Sequence, residues 1–410
     1  MLALVLEVGL GGCAFSSNPA PASGTPAGAD GGAMTDAEIR PAPDAAVPID
    51  DARPIDAAPI DAGPAQPSDV CLGRFDGICV APPTVSVTLG TQTLDTSSSA
   101  RCVDYRLAPG APAVDACVIA GTSIVIEGNN TVEVTGRRPL ILLSTSSITI
   151  SGVLDAASHR TSPSSKTGPG ADAPQCSATV TDPTVGASNN GGGGRGGTFG
   201  ATGGNGGSGA MQGQGGIAAP TESVTSLQGG CPGSAGAGND AGARGHGGGA
   251  VMLIARQTIA LDGTINASGA AGSAGKNSAG GGGGGSGGMI VLDAATVNVT
   301  GKCFANGGGG GEGGDLSSTG NPGGESSKPG EVGIGGGGAN RGGKGGDGGG
   351  AGGRAAAAGI AGTTHNSSSG AQDGLGGGGG GGGGVGVLKV SATGQAATNG
   401  AGAVEPRPSL

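Results

Sequence analysis

Three histidines, His159, His246 and His365, and three carboxylates within strand-like phrases, Asp155, Asp262 and Asp293, are the side chains of this chain that could carry acid–base chemistry. Such chemistry needs a partner in reach: a second carboxylate across a glycosidic bond, or a nucleophile beside its base. The spacing argues against both. Aligned on the repeat described below, Asp155 falls opposite Asn266 and Phe304, Asp262 opposite Ser151 and Thr300, and Asp293 opposite Ala255 and Ser144, so no carboxylate pair stacks. Turn-capping or solvated positions are expected for these aspartates, and loop surfaces for the histidines, which all lie in or beside glycine-rich stretches. No catalytic residue and no cofactor-binding residue is assigned. The polyglycine run Gly376 to Gly384 leads toward a strand, whereas a phosphate loop opens a helix. Gly314-Asp315 and Gly346-Asp347 are isolated pairs, short of the tandem repeat of a calcium roll.

The eight cysteines suggest other chemistry. Met1 to Gly12 is apolar except for Glu7 and ends in Leu10-Gly11-Gly12-Cys13, which resembles a bacterial lipobox. No Lys or Arg precedes the apolar stretch, which points to a translation start upstream of Met1. Cys13 is the expected lipidation site, and acyl chains alone would tie the protein to a membrane, since no apolar run of about 20 residues is present. In an exported chain Cys71 with Cys79 and Cys102 with Cys117 read as local disulfides, and Cys176 with Cys231 would close a glycine-rich loop. Cys303 is left over as a buried thiol. Without a CxxC or a Cys/His cluster, no metal site is expected.

Positioning these residues falls to an unusual chain. Of 410 residues 99 are Gly and 25 Pro, with four Phe, one Tyr and no Trp, so an ordinary aromatic-rich core is excluded. The net charge of -10 is concentrated: between Asp30 and Asp69 nine acidic residues face two arginines, a net of -7. That segment, with Pro-Ile-Asp at 48, 54 and 59, reads as an extended spacer. The absence of a basic stripe with aromatics argues against nucleic acid as a partner.

A strand phrase recurs. Gly249 to Gly269 aligns with Gly287 to Gly307 without gaps at an offset of 38 residues, and Leu140 to Ala157 takes the same register. Val251 to Ile254 is a continuous apolar run; Ile259 and Leu261 then alternate with polar or small residues, and Gly263 breaks the phrase. Copies of about 20 residues suit the coil of a parallel β-helix. The expected fold is therefore all-β, a short parallel β-helix solenoid with long glycine-rich insertions, preceded by a disordered linker. Stacking would align Ile148, Ile259 and Val297 in one inward ladder and Ile150, Leu261 and Val299 in a second.

The expected organisation is a signal segment over 1–13, a tether over 14–69, a Cys-containing cap over 70–136, coils over 137–393 and a disordered tail over 394–410. Insertions fall at 158–248, 270–286 and 308–384. Parts of them carry a polar residue at every third position, as in Thr202-Gly-Gly-Asn205-Gly-Gly-Ser208. Polyproline II has three residues per turn, so such segments could pack through their Gly edges, or else remain flexible coil.

The phrases SITISGVLDAAS, TIALDGTINASG and TVNVTGKCFANG, with the stretch from Cys71 to Gly136, resemble glycine-rich surface lipoproteins of myxobacteria, and the coils resemble those of haemagglutinin-type exoproteins. The resemblance implies exposure at the outer membrane or cell surface. The functional expectation is a non-enzymatic lipoprotein whose β-helix displays glycine-rich loops for adhesion or for envelope or matrix structure, touching a glycan or the extracellular matrix. The alternatives are a β-helix polysaccharide lyase or hydrolase and a polyglycine-II module that binds a surface through a polar ridge.

Overall fold

The computed structural model describes residues 68–392, apart from 161–164, 178–180, 222–223, 317, 329–330, 338–341, 351–358, 360 and 365–375, together with 397–398. Cys13 and the tether expected over 14–69 lie almost entirely outside these residues, as does His365.

Three short strands, β1 (Val70–Leu72), β2 (Ile78–Val80) and β5 (Tyr105–Leu107), form an antiparallel sheet in the order β1-β2-β5. A five-stranded parallel sheet contains β4 (Gln92–Asp95), β8 (Thr131–Thr135), β11 (Val153–Asp155), β13 (Thr264–Asn266) and β15 (Lys302–Phe304). The nine-stranded sheet runs β16 (Val387–Ala392), β14 (Met289–Val299), β12 (Ala250–Leu261), β10 (Ser147–Ile150), β7 (Ile124–Ile126), β3 (Val87–Thr88). Strands β9 (Leu140–Ser144) and β6 (Cys117–Gly121) join it through β12, and β17 (Ala397–Thr398) pairs with β14.

The alternating phrases form strands because one face of each can be buried. Ile148 pairs in parallel with Ile124 and Ile259, and Ile259 with Val297; Leu154 pairs with Val132 and Ile265, and Ile265 with Cys303. All of these side chains enter one core shared by the two parallel sheets, which wrap around it. Each fully buried Ile or Leu contributes roughly 1.5–3 kcal/mol.

The continuous apolar runs have a different cause. Along β12, Val251, Leu253 and Ala255 face that first core, while Ala250, Met252 and Ile254 face a second, built with Met289, Val291, Ile141 and Leu143 against Phe75, Ile78 and Val80 of the antiparallel region and Phe199 and Leu227 of the first insertion. A strand buried on both faces reads as unbroken apolar sequence. The gapless 38-residue register is also corrected. Ala250 to Ala255 pair with Met289 to Ala294, but Thr258 pairs with Thr296, so β12 carries one extra residue around Arg256 and Gln257. Asp293 is therefore the partner of Ile254 rather than of Ala255.

The insertions are part of the same body. Through 280–288 successive amides donate to three different segments in turn: Gly280, Gly283 and Ser286 to Ala237, Ser234 and Cys231; Gly281, Gly284 and Gly287 to Gly378, Gly381 and Gly384; Gly282, Gly285 and Gly288 to Ser273, Ala270 and Ala267, all at 2.8–2.9 Å. Its carbonyls accept with the same period from Gly242, Gly245 and Gly248, from Gly194 and Gly197, and from Gly311 and Gly308. A three-residue repeat of direction is that of a polyproline II helix, and six neighbours surround this one. The glycines allow the approach: a Cβ on Gly283 would lie 1.8 Å from the carbonyl oxygen of Arg195, and one on Gly378 1.9 Å from that of Gly207.

These findings overturn the open solenoid. The protein is all-β, but it is a domain of sheets wrapped nearly around a core, with a second core on the outer face of the nine-stranded sheet and extensive packing between residues distant in sequence. The repeating β-helix with displayed loops is replaced by this compact arrangement, because the apolar outer faces of β9, β12 and β14 and the amides of the insertions are covered by the rest of the chain.

Candidate functional site

Asp155 ends β11, and its position beside the first insertion gives it four partners. Lys166 Nζ donates to Asp155 Oδ2 at 2.7 Å, His159 Nε2 lies 3.2 Å from the same oxygen, and Asn266 Nδ2 and the Ala157 amide reach Oδ1 at 3.3 and 3.2 Å. The other imidazole nitrogen, Nδ1, is 3.0 Å from Glu325 Oε2, and the Arg160 amide donates to Glu325 Oε1 at 2.5 Å. Burial opposes protonation of His159, but its hydrogen bonds to Asp155 and Glu325 outweigh burial and hold the pKa at about 9. Burial likewise works against both carboxylates, yet the His159 hydrogen bond, with the Lys166 charge at Asp155 and the Arg160 amide at Glu325, brings each pKa below its ordinary value. At neutral pH the imidazolium thus donates from both nitrogens and clasps a strand end to the third insertion.

A second histidine also contacts a carboxylate, with fewer partners. Asp172 Oδ2 lies 2.6 Å from His246 Nδ1 and 3.8 Å from an Arg244 nitrogen, while Oδ1 accepts the Gly247 amide at 2.9 Å. The sequence pointed to these histidines as loop residues; it carried no signal for Lys166, Glu325 or Asp172, which are isolated charges in glycine-rich surroundings.

Asp262 accepts the Thr300 hydroxyl at 2.7 Å on the exposed edge of its strand. Asp293 departs from the turn-capping or solvated expectation: it is 3% exposed. Arg74 Nε binds its Oδ1 at 2.9 Å and the Arg74 amide binds Oδ2, while Arg74 also donates to the carbonyls of Ala294 and Ser391 at 2.6 and 3.0 Å. One arginine from the turn after β1 therefore ties β14 to β16. The extra residue in β12 and the antiparallel sheet packed on the outer face create this burial, and neither is visible in strand alternation.

The cysteines are joined as Cys71–Cys79, Cys102–Cys117 and Cys176–Cys231, with Cys303 buried and not in a disulfide. The first bond links directly opposed residues of β1 and β2. The described residues contain no group of three or more His, Cys, Asp and Glu side chains arranged to hold a metal ion, and no helix long and apolar enough to cross a membrane.

No family model, curated protein or solved structure matches the chain. The resemblance to myxobacterial surface lipoproteins and haemagglutinin-type coils is accordingly corrected, along with the adhesin-like scaffold it implied: the coil phrases belong to a compact domain, and its glycine-rich segments are packed rather than displayed. Nothing among the described residues speaks for a lipoprotein or an outer-membrane protein. Among the described residues, the three aspartates singled out in the sequence, Asp155, Asp262 and Asp293, each bind other parts of the chain. The polyglycine-II packing expected of the insertions is present, with Thr202 and Asn205 of the polar-third segment accepting the Gly359 and Gly362 amides at their carbonyls; these bonds engage the backbone and do not test a surface bound through the polar side chains.

Proposed function

We propose that this is an exported domain without catalytic chemistry, whose role is to hold a fixed shape in an oxidising compartment. The observation that carries the reading is the set of three disulfides closing sequence separations of 8, 15 and 55 residues. Such bonds persist outside the reducing cytoplasm and limit the unfolded ensemble of chains whose apolar core is small. The clasps at Asp155 and Asp293 support it further, since both spend their charged groups on joining distant segments.

Alkylation of the protein as isolated from its producing cell, unfolded without reductant, tests the compartment. The expected result is labelling of Cys303 with the six paired cysteines protected; labelling of all six would contradict export. A panel of polysaccharides and peptides tests the rest: turnover lost on Asp155→Asn would overturn the non-catalytic reading.

A further inference from the structure

A cavity of about 810 Å³ opens beside the Cys176–Cys231 disulfide. Its walls include Pro174, Pro183 and Pro232, and its charged groups are Arg195, Arg244, Asp172 and Asp182. Arg195 is the odd member. It stands in a buried segment of the glycine bundle, 8% exposed, and its Nε has no hydrogen-bond partner. Its amide is satisfied by the Ser234 hydroxyl at 3.0 Å, so the unmet atom is the Nε of the guanidinium. No carboxylate lies within ion-pair distance of it among the described residues. Burial and the nearby Arg244 both press against its charge, and Asp182 only partly offsets them. Asp172 is already occupied by His246 and the Gly247 amide. A guanidinium cannot shed its proton at ordinary pH, so a buried one with an unmet N–H and no paired carboxylate is costly unless an anion meets it.

We propose that this cavity is a binding site for a small organic carboxylate, whose charged end meets the Arg195 fork and whose apolar body lies along the three prolines. The fork matches a carboxylate with two parallel hydrogen bonds. Arg244, half exposed at the same cavity, adds attraction from the solvent side. Among the described residues the walls carry no aromatic ring, so a ligand held by stacking is disfavoured, and the volume lies within the range of small-molecule sites.

Side-chain Nε–H resonances of the intact, oxidised protein provide the test, with butyrate as the probe, butyramide as its neutral counterpart and sulfate as the inorganic anion. Butyrate is expected to shift the Arg195 Nε–H signal saturably, with butyramide inert and sulfate weaker. Arg195→Gln should weaken butyrate binding by about tenfold or more, and Arg244→Gln by a few-fold. The Arg244→Gln variant and the wild-type titration keep the test decisive if Arg195→Gln does not fold. Equal response to butyrate and butyramide, a stronger response to sulfate than to butyrate, or a butyrate response that leaves the Arg195 signal unmoved would each overturn the site.

Discussion

The two halves of the interior are held by opposite means. Around Ile148, Ile259 and Val297 the backbone pairs only within its sheets, and side chains fill the space between them. Around Gly280 to Gly288 there are almost no side chains, and backbone amides bind neighbours on every side. The first region is stabilised by apolar area removed from water; the second satisfies nearly every polar group at a separation that excludes a Cβ. The first should respond to polarity, the second to a single added methyl.

The largest effect is expected at Ile259→Asp, which buries an unpaired charge in the shared core and should cost more than about 4 kcal/mol of unfolding free energy. Gly283→Ala comes next. Its Cβ would meet a main-chain oxygen 1.8 Å away, which cannot rotate aside, and about 3 kcal/mol is the expected loss. Gly90→Ala is the control, because a Cβ there meets nothing within 4 Å, and its change should stay within about 0.5 kcal/mol. Equal shifts for the two glycine variants in chemical denaturation would break the comparison.

The His159 clasp, which joins the two regions, predicts a pH signature. Its folded pKa is raised to about 9 from 6.5, so the stabilisation is fully present below pH 6.5 and is lost as pH rises through about 9. The lowered pKa values of Asp155 and Glu325 give the opposite limb: their contribution is present above the ordinary carboxylate range and fades as pH falls through the folded values. Thermal unfolding between pH 6 and 10 should show an alkaline decline on the order of 2 kcal/mol, absent in His159→Gln; an unchanged decline in that variant would dissolve the clasp. The smallest effect belongs to Asp262→Ala, whose carboxylate only accepts a hydroxyl at an exposed edge, and it should stay within about 0.5 kcal/mol by the same unfolding measurement.

The contrast also explains what could be read from the sequence. The residue-to-residue pairing of Ile148, Ile259 and Val297 was legible because alternation of large and small side chains records which face is buried. The continuous run Val251 to Ile254 was legible as apolar, but nothing in it says that both faces are covered, and that second core turns an expected solenoid into a compact domain. The glycine bundle is written in residues without side chains, so its partners leave no pattern beyond a period of three, which a flexible linker can share. Asp293 was misplaced by one residue because the extra residue of β12 hides in Arg256-Gln257, where the alignment looks gapless. Glu325 and Arg195 were missed because their importance depends on where the insertions fold back, which local spacing does not encode.

Amide hydrogen exchange resolved to single residues, on the oxidised protein under native conditions, tests the central claim most directly. If the glycine bundle is folded as described, the amides of 280–288 exchange as slowly as those of Val251 to Ile254, and they open in the same global event. Exchange of 280–288 at the rate of an unfolded chain, while 251–254 stay protected, would contradict it.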